Sequence, residues 1–86
     1  MRVTEFVTTP NPNALKCVTD APPGPGPRSF ANAGAAESDP LARALFSIPG
    51  VTGLLLHDGW FTVSKAGDAD WKTIKAEVAR TLERLA

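Results

Sequence analysis

Three side chains of this sequence could in principle run thiol chemistry: Cys17 as nucleophile, His57 as base and Asp58 to orient it. Nothing in the spacing brings Cys17 to His57. A cysteine that alternates with Lys16 on an apolar strand reads instead as a small buried hydrophobe with a packing role. One Cys and one His also fall short of the three or four protein ligands of a zinc site. The chain has no carboxylate pair in a recognisable motif and no phosphate-cradling glycine loop. The expectation is therefore a protein that is not an enzyme, with no catalytic residue, no metal ligand and no cofactor. What remains is recognition chemistry. Asn11, Asn13 and Lys16 could form a polar patch, and Trp60 beside Leu55 and His57 is the kind of aromatic anchor that interfaces favour. Each has a structural alternative: asparagines close turns, a lysine on a strand is solvated, and tryptophans half-bury on sheets.

The elements that must position these residues centre on Val51 to Lys65, where two apolar runs flank Asp58-Gly59, a strong hairpin signal. A two-residue loop pairs His57 with Trp60, Leu56 with Phe61, Leu55 with Thr62 and Leu54 with Val63. Directly opposed side chains share a face. Leu54, Leu56, Phe61 and Val63 then form an apolar surface that must be buried, while Gly53, Leu55, His57, Trp60 and Thr62 take the other side.

Upstream, Val3–Thr8 is β-branched and aromatic and suits a strand, with Val3 and Val7 competing against Phe6 for the inward face. Thr9-Pro10-Asn11-Pro12-Asn13 must turn, because two prolines remove donors and asparagines satisfy local backbone groups. Ala14 to Val18 resumes a strand with Leu15 and Cys17 inward. Residues 20–37 read as a loop, and Pro22-Pro23-Gly24-Pro25-Gly26-Pro27 within it cannot be helix or interior strand; it is either mobile or partly extended, as in polyproline II. The Ala-Asn-Ala-Gly-Ala-Ala run at 31–36 receives no fixed structure.

Asp39-Pro40 signals a helix start, with Leu41, Leu45 and Ile48 as its apolar stripe and Pro49-Gly50 as its stop. A second helix starts after Asp68 as cap, with Asp70 in its first turn. It carries Trp71, Ile74, Val78, Leu82 and Leu85 on one stripe, with Lys72, Lys75, Glu77, Arg80, Glu83 and Arg84 solvated.

Composition bounds the function classes. The chain of 86 residues is one domain with one core, and its 43% hydrophobic and 21% charged residues are ordinary for a globular protein. Lys plus Arg and Asp plus Glu both total 9, and no basic cluster offers a nucleic-acid footprint. No apolar run approaches the roughly 20 residues that span a bilayer, nor does the start resemble a signal peptide. A single cysteine excludes an intrachain disulfide, and a cytoplasmic location is expected.

The order of several short stretches carries more. Thr-Pro-Asn-Pro-Asn-Ala-Leu-Lys at 9–16 resembles the opening motif of the N-terminal domain of Nfu/NifU-type iron–sulfur cluster scaffold proteins. Leu45-Phe46-Ser47-Ile48-Pro49-Gly50-Val51 followed by Gly53 resembles that family's second block, Phe61-Thr62-Val63-Ser64-Lys65-Ala66 its third and Asp70-Trp71 its fourth. Two features depart from the family pattern: Cys17 stands where a large apolar residue is usual, and the following segment is rich in proline. The resemblance implies a single domain over 1–86 with a short third strand anchored by Phe30. It further implies an accessory domain without the C-x-x-C domain that carries the cluster; one thiol cannot supply the four thiolates of a typical cluster.

The reading is an α+β fold of two layers in the order ββ(β)αββα. A mainly antiparallel sheet of four or five strands has two helices on one face, and the Leu55, His57 and Trp60 face stays open. The expected function is an accessory protein-interaction domain in iron–sulfur cluster assembly, binding a protein partner such as a scaffold or client, with neither nucleic acid nor membrane as partner. The alternative is a small regulatory or ligand-binding domain of the same fold, unrelated to cluster biogenesis.

Overall fold

A computed structural model of the chain describes residues 1–21 and 27–85. The reading of Pro22 to Gly26 as irregular or polyproline-like chain falls outside the described residues. Five strands build one sheet: β1 (Val3–Thr8), β2 (Ala14–Thr19), β3 (Arg28–Phe30), β4 (Val51–His57) and β5 (Trp60–Lys65), in the order β1-β2-β5-β4-β3. Every neighbouring pair is antiparallel. Helix α1 (Pro40–Phe46) precedes β4, and α2 (Trp71–Leu85) follows β5. The strand and helix order is the one read from the sequence.

The hairpin register is the expected one, from His57 opposite Trp60 to Leu54 opposite Val63. Only Gly59 of the turn has positive φ, at 88°, a conformation that glycine adopts without a Cβ penalty. Cross-strand pairing then fixes rows across the sheet. One inner row runs Phe6, Cys17, Phe61, Leu56 and Arg28; the next runs Thr8, Leu15, Val63, Leu54 and Phe30. Cys17, Leu54, Leu56, Phe61 and Val63 form one core with Leu41, Ala42, Leu45 and Ile48 from α1 and its exit, and with Ile74, Val78 and Leu82 from α2. Burying that surface on one side of the sheet is the main stabilising term of a domain this small.

The structure refines several expectations. The contest in β1 resolves through a bulge between Val3 and Glu5, which shifts the alternation so that Val3 and Phe6 both pack on the core and Val7 faces out. The cap of α2 is Asp70, not Asp68. The Asp70 carbonyl accepts from the Ile74 N–H at 3.1 Å, and its carboxylate accepts from the Lys72 N–H at 3.3 Å and the Thr73 hydroxyl at 3.2 Å. These hydrogen bonds, the Lys72 N–H first, hold the Asp70 carboxyl below its ordinary value.

Leu85 is 47% exposed rather than part of the buried stripe, which ends at Leu82, while Thr81 beside Leu82 is buried. Lys75 is not fully solvated: its ammonium lies 5.6 Å from the Phe6 ring. The run at 31–36 is partly regular, with a 3-10 turn over Gly34–Ala36 that buries Ala36. The short strand β3 is tied to α1 through an ion pair between Arg28 and Asp39, the same aspartate that caps α1 by accepting from the Ala42 N–H at 3.1 Å.

Candidate functional site

With both helices on the inner face, the outer face is a grid of side chains set by strand pairing. One row reads Val7, Lys16, Thr62, Leu55 and Ser29 across β1, β2, β5, β4 and β3, and the next reads Glu5, Val18, Trp60 and His57. Lys16, Leu55, His57 and Trp60 thus share one surface. The pairing of β2 with β5 is what brings Lys16 there.

Trp60 is the centre of this surface. The His57 ring, reaching from β4, stacks on it at 4.8 Å between centroids with 7° between planes. The Lys16 ammonium, reaching from β2 on the other side, lies 4.9 Å from the ring centroid. A cation and a second aromatic ring therefore hold the indole from both flanking strands. Trp60, His57 and Lys16 are half-buried, and Leu55 beside them is 37% exposed. The Nδ1 atom of His57 is shut off from solvent with no hydrogen-bond partner among the described residues. Any bond that His57 makes to a partner must use Nε2.

Asn11 and Asn13 lie at the opposite end of the sheet, in the turn between β1 and β2. Asn11 accepts from the Asn13 N–H through its side-chain oxygen at 2.9 Å, and the Thr9 hydroxyl accepts from the Asn11 N–H at 3.2 Å. Asn13 accepts from the Lys65 ammonium at 3.2 Å, and its carbonyl accepts from the Lys65 N–H at 2.8 Å. The indole N–H of Trp71 donates to the Pro12 carbonyl at 2.9 Å. Lys65 also sits 5.6 Å from the Trp71 ring. Both asparagines thus spend hydrogen-bonding capacity on holding the turn. Lys65 and Trp71 were not legible as its supports, since Lys65 is 52 positions from Asn13 and Trp71 is 59 from Pro12.

Cys17 and His57 project to opposite faces, so no dyad forms between them. Cys17 is 1% exposed among apolar neighbours, and burial pushes its thiol from 9.0 up to about 12, partly offset by the positive charge of Lys75. Among the described residues no group of three or more His, Cys, Asp or Glu could hold a metal ion. A shallow hollow lined by Pro49, Gly50, Asp68, Asp70 and Ile74 opens at the start of α2.

The family described as "Scaffold protein Nfu/NifU N terminal" matches residues 4–86. The chain belongs to that family. A Drosophila erecta relative, the NFU1 iron-sulfur cluster scaffold homolog, mitochondrial, is 39% identical over 72 residues, covering 81% of this chain and 25% of its own length. NifU-like protein 5, mitochondrial, of Arabidopsis thaliana is 35% identical over 72 residues, covering 83% and 26%. The chain thus spans about a quarter of the length of these relatives. Among solved structures, the NifU-like protein from Saccharomyces cerevisiae superposes with a TM-score of 0.77 at 28% identity, covering 93% of this chain and 74% of that one. The crystal structure of Staphylococcus aureus protein SAV1430 superposes with a TM-score of 0.79 at 19% identity, covering 95% and 99%, and shares the fold. Among the described residues no helix is long and apolar enough to cross a membrane.

The four stretches that carry the family resemblance meet at one end of this fold. Pro12 and Asn13 of the first contact Trp71 of the fourth and Lys65 of the third, and the Ala66 N–H donates to the Gly50 carbonyl of the second at 2.9 Å. Gly50 has φ of 94°, and a Cβ there would meet the Ala69 Cβ at 2.8 Å. In this Nfu/NifU-type domain the recognisable pattern is thus largely the clamp that joins both hairpins to α2.

Proposed function

We propose that this chain is an accessory protein-interaction domain in iron–sulfur cluster assembly. It engages a cluster scaffold or a client protein through its outer sheet face and does not itself hold the cluster. The observation that carries the reading is the preset Lys16, Trp60 and His57 stack beside exposed Leu55, on the face that neither helix covers. A rigid, half-buried tryptophan with an aliphatic neighbour has the composition of an interface centre. Asn11 and Asn13 serve that face indirectly, by fixing the turn that sets the start of β2. The family membership and the names of the relatives supply the process. The single thiol supports the second half of the reading, since a typical cluster takes four thiolates and the one cysteine, Cys17, lies buried with its thiol pushed up to about 12. The domain performs no catalysis and works in the cytoplasm, where a lone reduced thiol is ordinary.

Titration calorimetry of the purified chain against a purified C-x-x-C cluster scaffold tests the reading. Trp60→Ala should weaken binding by about 2 kcal/mol or more while leaving the circular dichroism intact. Undiminished binding by that variant would move the interface elsewhere. Anaerobic reconstitution with iron and sulfide should leave the chain without a stoichiometric cluster spectrum, and the appearance of one would overturn the non-binding half.

A further inference from the structure

The outer face has a chemical requirement of its own. Of the side chains in its two central rows, Lys16 is the only permanent cation, and it forms no ion pair among the described residues. Its ammonium is held over Trp60 at 4.9 Å, where any partner that packs on the indole and Leu55 must also cover it. Covering an ammonium with apolar surface alone would leave a desolvated charge without a counter-ion, which strongly disfavours the complex. The one carboxylate in these rows, Glu5, belongs to β1 at the margin, opposite Val18 rather than Lys16, and Lys16 leans toward the indole instead.

We propose that the partner bound by this face is a protein segment in which an Asp or Glu sits beside a large apolar or aromatic side chain. The apolar group packs on Trp60 and Leu55, the carboxylate meets the Lys16 ammonium, and His57 Nε2 is free to bond a further polar group. This deepens the reading of the outer face as a partner surface and rests on it. Glu5 acts as a selector at the edge, repelling a carboxylate that approaches from the β1 side. The chain itself has net charge zero and no basic cluster, so the acidic preference is local to Lys16.

The test selects binders of the full chain from a random peptide library and measures the affinity of enriched peptides by fluorescence polarisation. The expected consensus places Asp or Glu within two positions of an aromatic or large aliphatic residue. Lys16→Met, which keeps the stem and removes the charge, should weaken these peptides about tenfold and flatten their salt dependence up to about 0.5 M. Trp60→Ala should abolish binding, and Glu5→Gln should tighten it about twofold. Peptides that need Trp60 but carry no acidic residue, or that bind Lys16→Met equally well, would overturn the acidic assignment while leaving the partner face standing. A library with no Trp60-dependent binder would remove both. Sedimentation of the chain alone should show a monomer; a dimer lost in both Lys16→Met and Glu5→Gln would replace the acidic partner with a second copy.

Discussion

The buried thiol makes the stability of this domain fall in alkali in a way that can be calculated and isolated. Cys17 titrates at about 12 in the folded chain against 9.0 when unperturbed, because burial disfavours the thiolate. A folded value raised above the unfolded one contributes stability that is complete below 9.0 and is lost as pH rises toward 12. At about pH 10.5 the unfolded chain has released this proton and the native chain has not, a linkage worth about 2 kcal/mol at 1.36 kcal/mol per unit. With a urea slope of about 1 kcal/mol per molar for a chain of this size, the midpoint should fall by about 2 M from this group alone.

Alkali acts on the rest of the chain as well, although the sequence contains no tyrosine. The measurement is therefore the difference between wild type and Cys17→Ala, each referred to its own midpoint near pH 8. Wild type should lose about 2 M more urea resistance than Cys17→Ala by about pH 10.5. Parallel decline of the two proteins would refute the reasoning, because it would mean that the native thiol ionises as freely as the unfolded one. Labelling by a thiol reagent at neutral pH gives a second check: the native protein should react far more slowly than the denatured one.

Leu54 is 4% exposed in the hairpin core, and Leu54→Ala should cost about 2 to 5 kcal/mol. Total stability for a domain of this size is roughly 4 to 13 kcal/mol, so a large loss of denaturant resistance is expected and an unchanged midpoint would show the strand faces reversed. Gly50→Ala and Gly59→Ala should differ in thermal unfolding although both sites have positive φ. The new Cβ at Gly50 would stand 2.8 Å from the Ala69 Cβ, whereas at Gly59 it meets nothing within 4 Å. Gly59→Ala should cost about 1 kcal/mol and Gly50→Ala clearly more; equal losses would mean that backbone conformation alone decides. Trp71→Phe removes the 2.9 Å bond to the Pro12 carbonyl and should lower stability by about 0.5 to 1.5 kcal/mol, with hydrogen exchange accelerating first in the turn at residues 9–13.

The hairpin was legible in the sequence from His57 opposite Trp60 to Leu54 opposite Val63, because two local rules suffice there: a two-residue turn sets the register, and alternation sets the faces, up to the register shift between Val51 and Gly53. The start of α1 at Asp39-Pro40 and the Ile74, Val78 and Leu82 stripe of α2 were legible in the same way, whereas α1 ends at Phe46 with Ser47 as its C-cap, so that Ile48 packs on the core from beyond the helix. Local rules failed where competing signals lay a few residues apart. Asp68 and Asp70 are both acceptable caps, and the choice of Asp70 is made by the path of the chain out of β5, with Ala69 packed beside Gly50. The bulge in β1 likewise has no sequence signal of its own, since it reconciles two inward residues, Val3 and Phe6, that strict alternation would separate.

The candidate site divides in the same way. That Leu55, His57 and Trp60 share a face follows from the hairpin alone. That Lys16 joins them, with its ammonium over the indole, depends on β2 docking beside β5, a pairing between segments more than forty residues apart. The support of the Pro10–Asn13 turn by Lys65 and Trp71 is a long-range fact of the same kind. Periodicity along the chain records which side of an element is apolar, but it holds no information on which strand edge meets which; burial of the shared core by both helices selects that arrangement.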